Sequence, residues 1–173
     1  AVGVDIVPTD CLAHQLVQAM PEAVHLELAL AAHFQLSPGT AKTLLGMLPK
    51  GAAVIRNGQR QIIGVGAMRQ RISFADGERY CICVPWGDIG SLQHTLPIPN
   101  ITVFMAIPRL MAPVMSWTRW LGPKSRRWVA DMAQKLLRGP SANVRGSEQV
   151  QFWGCVTDEA GRQCSATLTT PEG

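Results

Sequence analysis

The chain has 173 residues, enough for one domain with a real core, and its hydrophobic fraction of 47% is that of a globular protein. A net charge of +4 and a pI near 9.0 make it mildly basic. No stripe of Lys and Arg alternates with aromatics on strands and no zinc-knuckle spacing occurs, which argues against nucleic acid as a partner. No apolar run approaches the ~20 residues that a membrane-crossing helix needs, and no signal peptide is visible.

Ala1 to Val7 is apolar apart from Asp5 and reads as the tail of a buried strand. Thr9 or Asp10 is expected to cap a helix to about Met20, with Leu12, Leu16, Val17 and Met20 on one face. Val24, Leu26, Leu28 and Leu30 alternate with His25, Glu27 and Ala29, the pattern of a half-buried strand. Ser37-Pro38-Gly39 opens a second helix that Pro49-Lys50-Gly51 stops. Asn57-Gly58 and Asp76-Gly77 mark two hairpins, because such turns need positive φ at their centre. Gly64-x-Gly66 between them lacks the third glycine and the helix of a dinucleotide fingerprint.

The stretch from Tyr80 to Met105 is the most informative. A strand leads into the turn Pro85-Trp86-Gly87-Asp88; a short helix and a second turn follow, and a buried strand runs over Ile101 to Ile107. Trp86, Asp88, Gln93 and His94 gather between two apolar runs, the layout of a pocket wall. Helices are expected over Arg109 to Leu121 and Ser125 to Arg138. The chain closes in a hairpin in which a four-residue loop, Asp158-Glu159-Ala160-Gly161, sets Cys155 opposite Cys164. So many hairpins do not suit a doubly wound parallel sheet. The expected class is α+β, a mostly antiparallel mixed sheet with helices packed on one face, in a single domain.

Several residues read two ways. Asp5 is either a ligand-facing acid at a strand end or a turn-stabilising carboxylate. His94, six residues from Asp88, is either a general acid or base or a surface histidine at a helix end. Trp86 lines a pocket or fills core. From Ile89 to Ala130 there is no Asp or Glu, while Arg109, Arg119, Lys124, Arg126 and Arg127 interleave with Met and Trp. That segment is either a solvated face above a packed one or a docking surface for an anionic membrane or lipid-like ligand. The five cysteines are odd in number, which favours reduced thiols and a cytoplasmic setting. Cys81-x-Cys83 lacks two further ligands at matching spacing, so no metal site is expected and core packing is the plainer reading. No hydrolase or nucleotide-triphosphatase motif is present.

The opening Gly3-Val4-Asp5-Ile6-Val7-Pro8-Thr9-Asp10-Cys11-Leu12-Ala13 resembles a segment of saccharopine dehydrogenase-like oxidoreductases, in the branch that includes trans-acting enoyl reductases. Ser37-Pro38-Gly39-Thr40, Asp76-Gly77, Pro85-Trp86-Gly87-Asp88, Ile98-Pro99-Asn100-Ile101 and Thr169-Thr170-Pro171-Glu172-Gly173 agree in order, so the resemblance covers nearly the whole chain. It implies the second, α+β, substrate-binding and dimerisation domain of an NAD(P)-dependent oxidoreductase whose N-terminal Rossmann domain is not in this sequence. NAD or NADP would then bind the full-length protein and not this part alone. Gly3, Asp5 and Pro8 would edge the nicotinamide site, and Trp86, Asp88 and His94 would line the substrate pocket. The implied partners are a small-molecule or lipid-like substrate, the Rossmann domain and a second copy in a homodimer. The alternative from the residues alone is a non-enzymatic module for a membrane surface or small ligand.

Overall fold

In the computed structural model, residues 6–31, 51–86, 89–109 and 149–171 are described. The expected helices after Ser37 and over 109–138 lie outside them, as do Gly3, Asp5 and Asp88. The described elements are α1 (Ile6–Ala19), β1 (Ala23–Ala31), β2 (Ala52–Arg56), β3 (Gln59–Ile63), β4 (Arg69–Phe74), β5 (Gly77–Cys83), α2 (Ile89–Thr95), β6 (Asn100–Ala106), β7 (Gln149–Asp158) and β8 (Gln163–Pro171).

The eight strands form one mixed sheet, with the order β3-β2-β6-β1-β7-β8 and β4-β5 attached to β6. The pair β1–β6 is parallel and the other described pairs are antiparallel. On its other edge β6 is shared. Its start meets β2 at Ile55–Ile101, and its later half meets β5 over Cys83–Phe104, Ile82–Met105 and Cys81–Ala106.

Strand alternation gives the sheet two apolar faces. Leu26, Leu28 and Leu30 of β1 join Ile55, Ile101, Val103, Phe152 and Val156 in a cluster to which both described helices contribute, α1 through Leu12, Ala13 and Leu16 and α2 through Ile89 and Leu92. Ala29 and Ala31 point the other way, into a cluster with Val54, Ile72, Phe74, Cys81, Cys83, Phe104 and Ala106. The β4–β5 hairpin therefore curls back across this second face.

Helix α1 begins earlier than its sequence suggests. Ile6 and Val7 are helical, not strand, and Thr9 and Asp10 stand inside the helix, not at its cap. Pro8 is tolerated there because the first four N–H groups of a helix have no intrahelical acceptor to lose. Leu12 and Leu16, one turn apart, lie on β7 where Gly154 presents no side chain. A Cβ at Gly154 would come within 2.6 Å of Leu16 Cδ1 and 3.2 Å of both Leu12 Cδ2 and Leu28 Cδ2.

Two turns differ in detail from expectation. Asn57 and Gly58 have φ of 50° and 73°, the expected tight hairpin. In the next hairpin Phe74 pairs with Gly77, so the loop residues are Ala75 and Asp76, and Gly77 (φ 131°) opens the strand. In the last hairpin Asp158 N–H donates to the Arg162 carbonyl at 3.1 Å, while Asp158 Oδ1 accepts the Arg162 N–H at 2.8 Å. This closes a three-residue loop ending in Gly161 at φ 80°. The register moves by one: Cys155 faces Ser165 and Cys164 faces Val156. The two sulfurs point to opposite faces of the sheet, and all five cysteines are free thiols.

Gly154→Ala is expected to destabilise the protein by about 1–3 kcal/mol, because Leu12, Leu16 and Leu28 are too well packed to yield. Gly90→Ala, in a helix with open space around the new methyl, is expected to stabilise it by about 0.5–1 kcal/mol. Urea unfolding of both variants checks the pair; equal effects would mean that helix–sheet spacing is not set at Gly154.

Candidate functional site

The stretch that begins with β5 supplies the candidate site. Pro85 ends the strand, and the half-buried Trp86 packs against both the helix-bearing cluster and a smaller one formed by Val65, Ile82, Val84, Met105 and Ile107. It therefore packs the seam between the two clusters, with part of its surface toward solvent. Helix α2 follows, with Ile89 and Leu92 buried against the sheet. Its polar side meets α1: Ser91 Oγ donates to Asp10 Oδ1 at 3.4 Å. The helix that carries Pro8 and the segment that carries Trp86 and His94 thus stand side by side.

The far end of α2 is fixed by a polar knot. Gln93 Nε2 donates to the Gly58 carbonyl at 3.0 Å, and Gly58 N–H donates to the Pro99 carbonyl at 2.8 Å. Asn100 Nδ2 donates to the Val24 carbonyl at 3.0 Å and its Oδ1 accepts the Asn57 N–H at 3.1 Å. One carboxamide so binds β1, the β2–β3 turn and the start of β6 together. His94 is exposed in the last turn of α2. It makes no hydrogen bond or ion pair among the described residues, and the structure supplies it with no acid–base partner there.

Several charged groups elsewhere among the described residues hold turns together. Burial pulls the Asp158 carboxyl upward, but the Arg162 backbone N–H and guanidinium outweigh it and hold the group below its ordinary 3.8. Arg162 Nε donates to Asp158 Oδ2 at 2.6 Å and its Nη2 reaches Glu22 at 3.0 Å, tying the β7–β8 turn to the start of β1. A hydrogen bond from Arg79 likewise lowers Asp76. Burial pushes the Cys81 thiol up to about 12 and the Cys83 thiol up to about 11. Both are neutral at physiological pH and neither is poised as a ligand or nucleophile. Among the described residues no group of three or more His, Cys, Asp or Glu could hold a metal, and no helix is long and apolar enough to cross a membrane.

Among the described residues, no glycine-rich turn joins a parallel strand to a helix N-terminus, so these residues do not form a dinucleotide cradle. Of Gly3, Asp5 and Pro8, only Pro8 is described, in the first turns of α1. Of the basic residues of the Trp-bearing segment, Arg109 is exposed, and Arg119, Lys124, Arg126 and Arg127 lie outside the described residues. Sequence reasoning missed the Asp10–Ser91 pair and the role of Asn100. Asn100 did stand out locally, as an amide between Pro99 and an apolar strand, but its partners lie 43 and 76 residues away.

Comparison with known proteins finds no matching family model and no matching curated protein. Among solved structures, the chain is similar to apo histidine-tagged saccharopine dehydrogenase (L-Glu forming) from Saccharomyces cerevisiae, with a TM-score of 0.51 at 9% identity. The match covers 97% of this chain and 57% of that one, so the chain spans little more than half the length of its neighbour.

Two outcomes are expected. Asn100→Ala should cost about 1–3 kcal/mol in urea unfolding, since it strands two backbone groups at once; a negligible change would show that water replaces the carboxamide. A group whose pKa is lowered on folding stabilises the protein above its ordinary value, and that contribution is lost as pH falls through the lowered value. Stability should therefore fall below about pH 4 as Asp158 and Asp76 protonate. The fall should be shallower in Asp158→Asn, read from urea midpoints over a pH series. The likeness to solved structures gives the architecture its place: the chain has a saccharopine dehydrogenase-like fold.

Proposed function

We propose that this chain is the substrate-binding and dimerisation domain of an NAD(P)-dependent, saccharopine dehydrogenase-like oxidoreductase. The observation that carries the reading is the fold likeness, which takes in 97% of this chain and only 57% of the neighbour. The neighbour is a dehydrogenase, and a domain sharing part of its fold is suited to a role within such an enzyme rather than to the whole reaction. The ordered sequence motifs support the same reading independently, since they come from residues and not from coordinates.

In this reading the nicotinamide supplies the hydride and is held by a Rossmann domain in the full-length protein. This chain contributes the wall. Helix α1 brings Pro8 toward the cofactor edge, and Asp10 and Ser91 hold that helix against the segment bearing Trp86 and His94. The Gln93–Gly58 and Asn100 bonds keep α2 from shifting along the sheet. Trp86 gives the pocket an apolar surface, and His94 adds a hydrogen-bonding ring at its rim, which suits a small-molecule or lipid-like substrate. A second copy completes the active protein as a homodimer.

Titration with NADH and NADPH, followed by nicotinamide fluorescence, tests the assignment in two preparations. The full-length protein should bind with micromolar affinity, and residues 1–173 alone should show no saturable binding. Binding by neither preparation overturns the oxidoreductase reading. Equal binding by both overturns the assignment of cofactor to another domain.

A further inference from the structure

The β4–β5 hairpin is attached to the sheet in two ways along its length. At its base Cys81, Ile82 and Cys83 ladder onto β6, and the Tyr80 carbonyl accepts the Ile107 N–H at 2.9 Å. Beyond that point residues 72–79 pair with no strand outside the hairpin, among the described residues. They lie across the second face on Ile72 and Phe74, which are buried against Ala29, Ala31 and Trp153.

The tip ends at β7, where one buried side chain receives it. Gln151 Oε1 accepts the Ala75 N–H at 3.0 Å, and the same side chain, after Arg79, helps to lower the Asp76 carboxyl. Gln151 is only 8% exposed. A buried amide whose oxygen is committed to the hairpin tip keeps that bond only when the tip is down. A second tie lies closer to the base, from Gln70 Nε2 to Glu27 Oε2 at 3.2 Å. Glu27 stands opposite Cys155 in the β1–β7 register.

We propose that residues 72–79 form a strap, clasped by Gln151, that lifts from the second face as one unit while the base of the hairpin stays on β6, and that it governs access to the Cys81 thiol. Closed, the strap buries Ile72 and Phe74 over Ala29, Ala31 and Trp153, and Cys81 is fully covered. Lifted, it gives up those two side chains and the clasp but none of the β5–β6 ladder. Partial openings of this kind require less free energy than global unfolding. Thiol reagents need a reachable thiolate, so Cys81 reacts only in molecules whose strap is open.

Alkylation of Cys81 by iodoacetamide, followed by peptide mass spectrometry, reads the open population in the intact protein. Amide hydrogen exchange in β1 and β7 reads global opening in parallel. In the wild type, Cys81 alkylation should depend far less steeply on urea than exchange in β1 and β7 does. Gln151→Ala should raise the Cys81 rate about five- to tenfold, the effect of losing the clasp, with the shallow urea dependence of that rate kept and β1 and β7 exchange rising by no more than the same factor. Gln151→Glu keeps the acceptor for Ala75 but faces Asp76 with a second carboxylate, and should raise the rate too. Adding Asp76→Asn restores a donor and should bring the rate back down. The proposal is overturned if Cys81 alkylation tracks β1 and β7 exchange in the wild type, or if Gln151→Ala leaves the rate unchanged.

Discussion

The parallel pairing of β1 with β6 is the constraint on which the architecture depends. It forces the chain between them to cross from one end of the sheet to the other, and it leaves β6 one free edge. Two hairpins compete for that edge and divide it, β2 at the start and β5 toward the end. Because β2 and β5 cannot both continue along β6, the sheet splits there. The β4–β5 hairpin leaves the plane of β2–β3 and folds over the second face. Asn100 sits at the first residue of β6, where β1, β6 and the β2–β3 turn converge, and its carboxamide binds all three.

Much of this was legible in the sequence, for local reasons. Leucines at every second position gave β1 its inward face, and Asn57-Gly58 declared a hairpin because few other residues accept positive φ twice running. The failures are also local and have physical causes. At the last turn the count of loop residues was wrong by one, because the Asp158 carboxylate captures the Arg162 N–H and draws Arg162 into the pairing. A single-residue slip reverses every side chain on the second strand, so Cys155 and Cys164 exchanged an imagined contact for opposite faces. At the start of the chain Pro8 was taken as a boundary, although the first turn of a helix has no use for its missing N–H.

The site was less legible than the fold. Trp86 and His94 were visible as unusual residues between apolar runs, but what positions them was not. Asp10 and Ser91 lie 81 residues apart in sequence, and nothing in the spacing of either announces the other. Gln93 looked like one more polar group between apolar runs; its bond to the Gly58 carbonyl ties α2 to the β2–β3 turn. The pattern is physical. Alternation and turn chemistry are encoded within a few residues, whereas a pocket is assembled by pairs that meet only after the sheet has formed. The Cys81-x-Cys83 pair could be weighed beforehand as core, by counting missing ligands, and burial explains why these thiols stay protonated.

The bare surface at Gly154 has a consequence for how the fold can vary. With no side chain there, α1 rests on backbone, and Leu12 and Leu16 occupy the space that a residue on β7 would otherwise take. The distance between helix and sheet is therefore written jointly at three places, two on the helix and one on a strand some 140 residues later. In related proteins these positions should change together, a bulkier strand residue accompanied by smaller helix residues. A lone exchange would displace α1, and with it the tie between Asp10 and Ser91. Such a compensating trio records a spacing and not a chemistry.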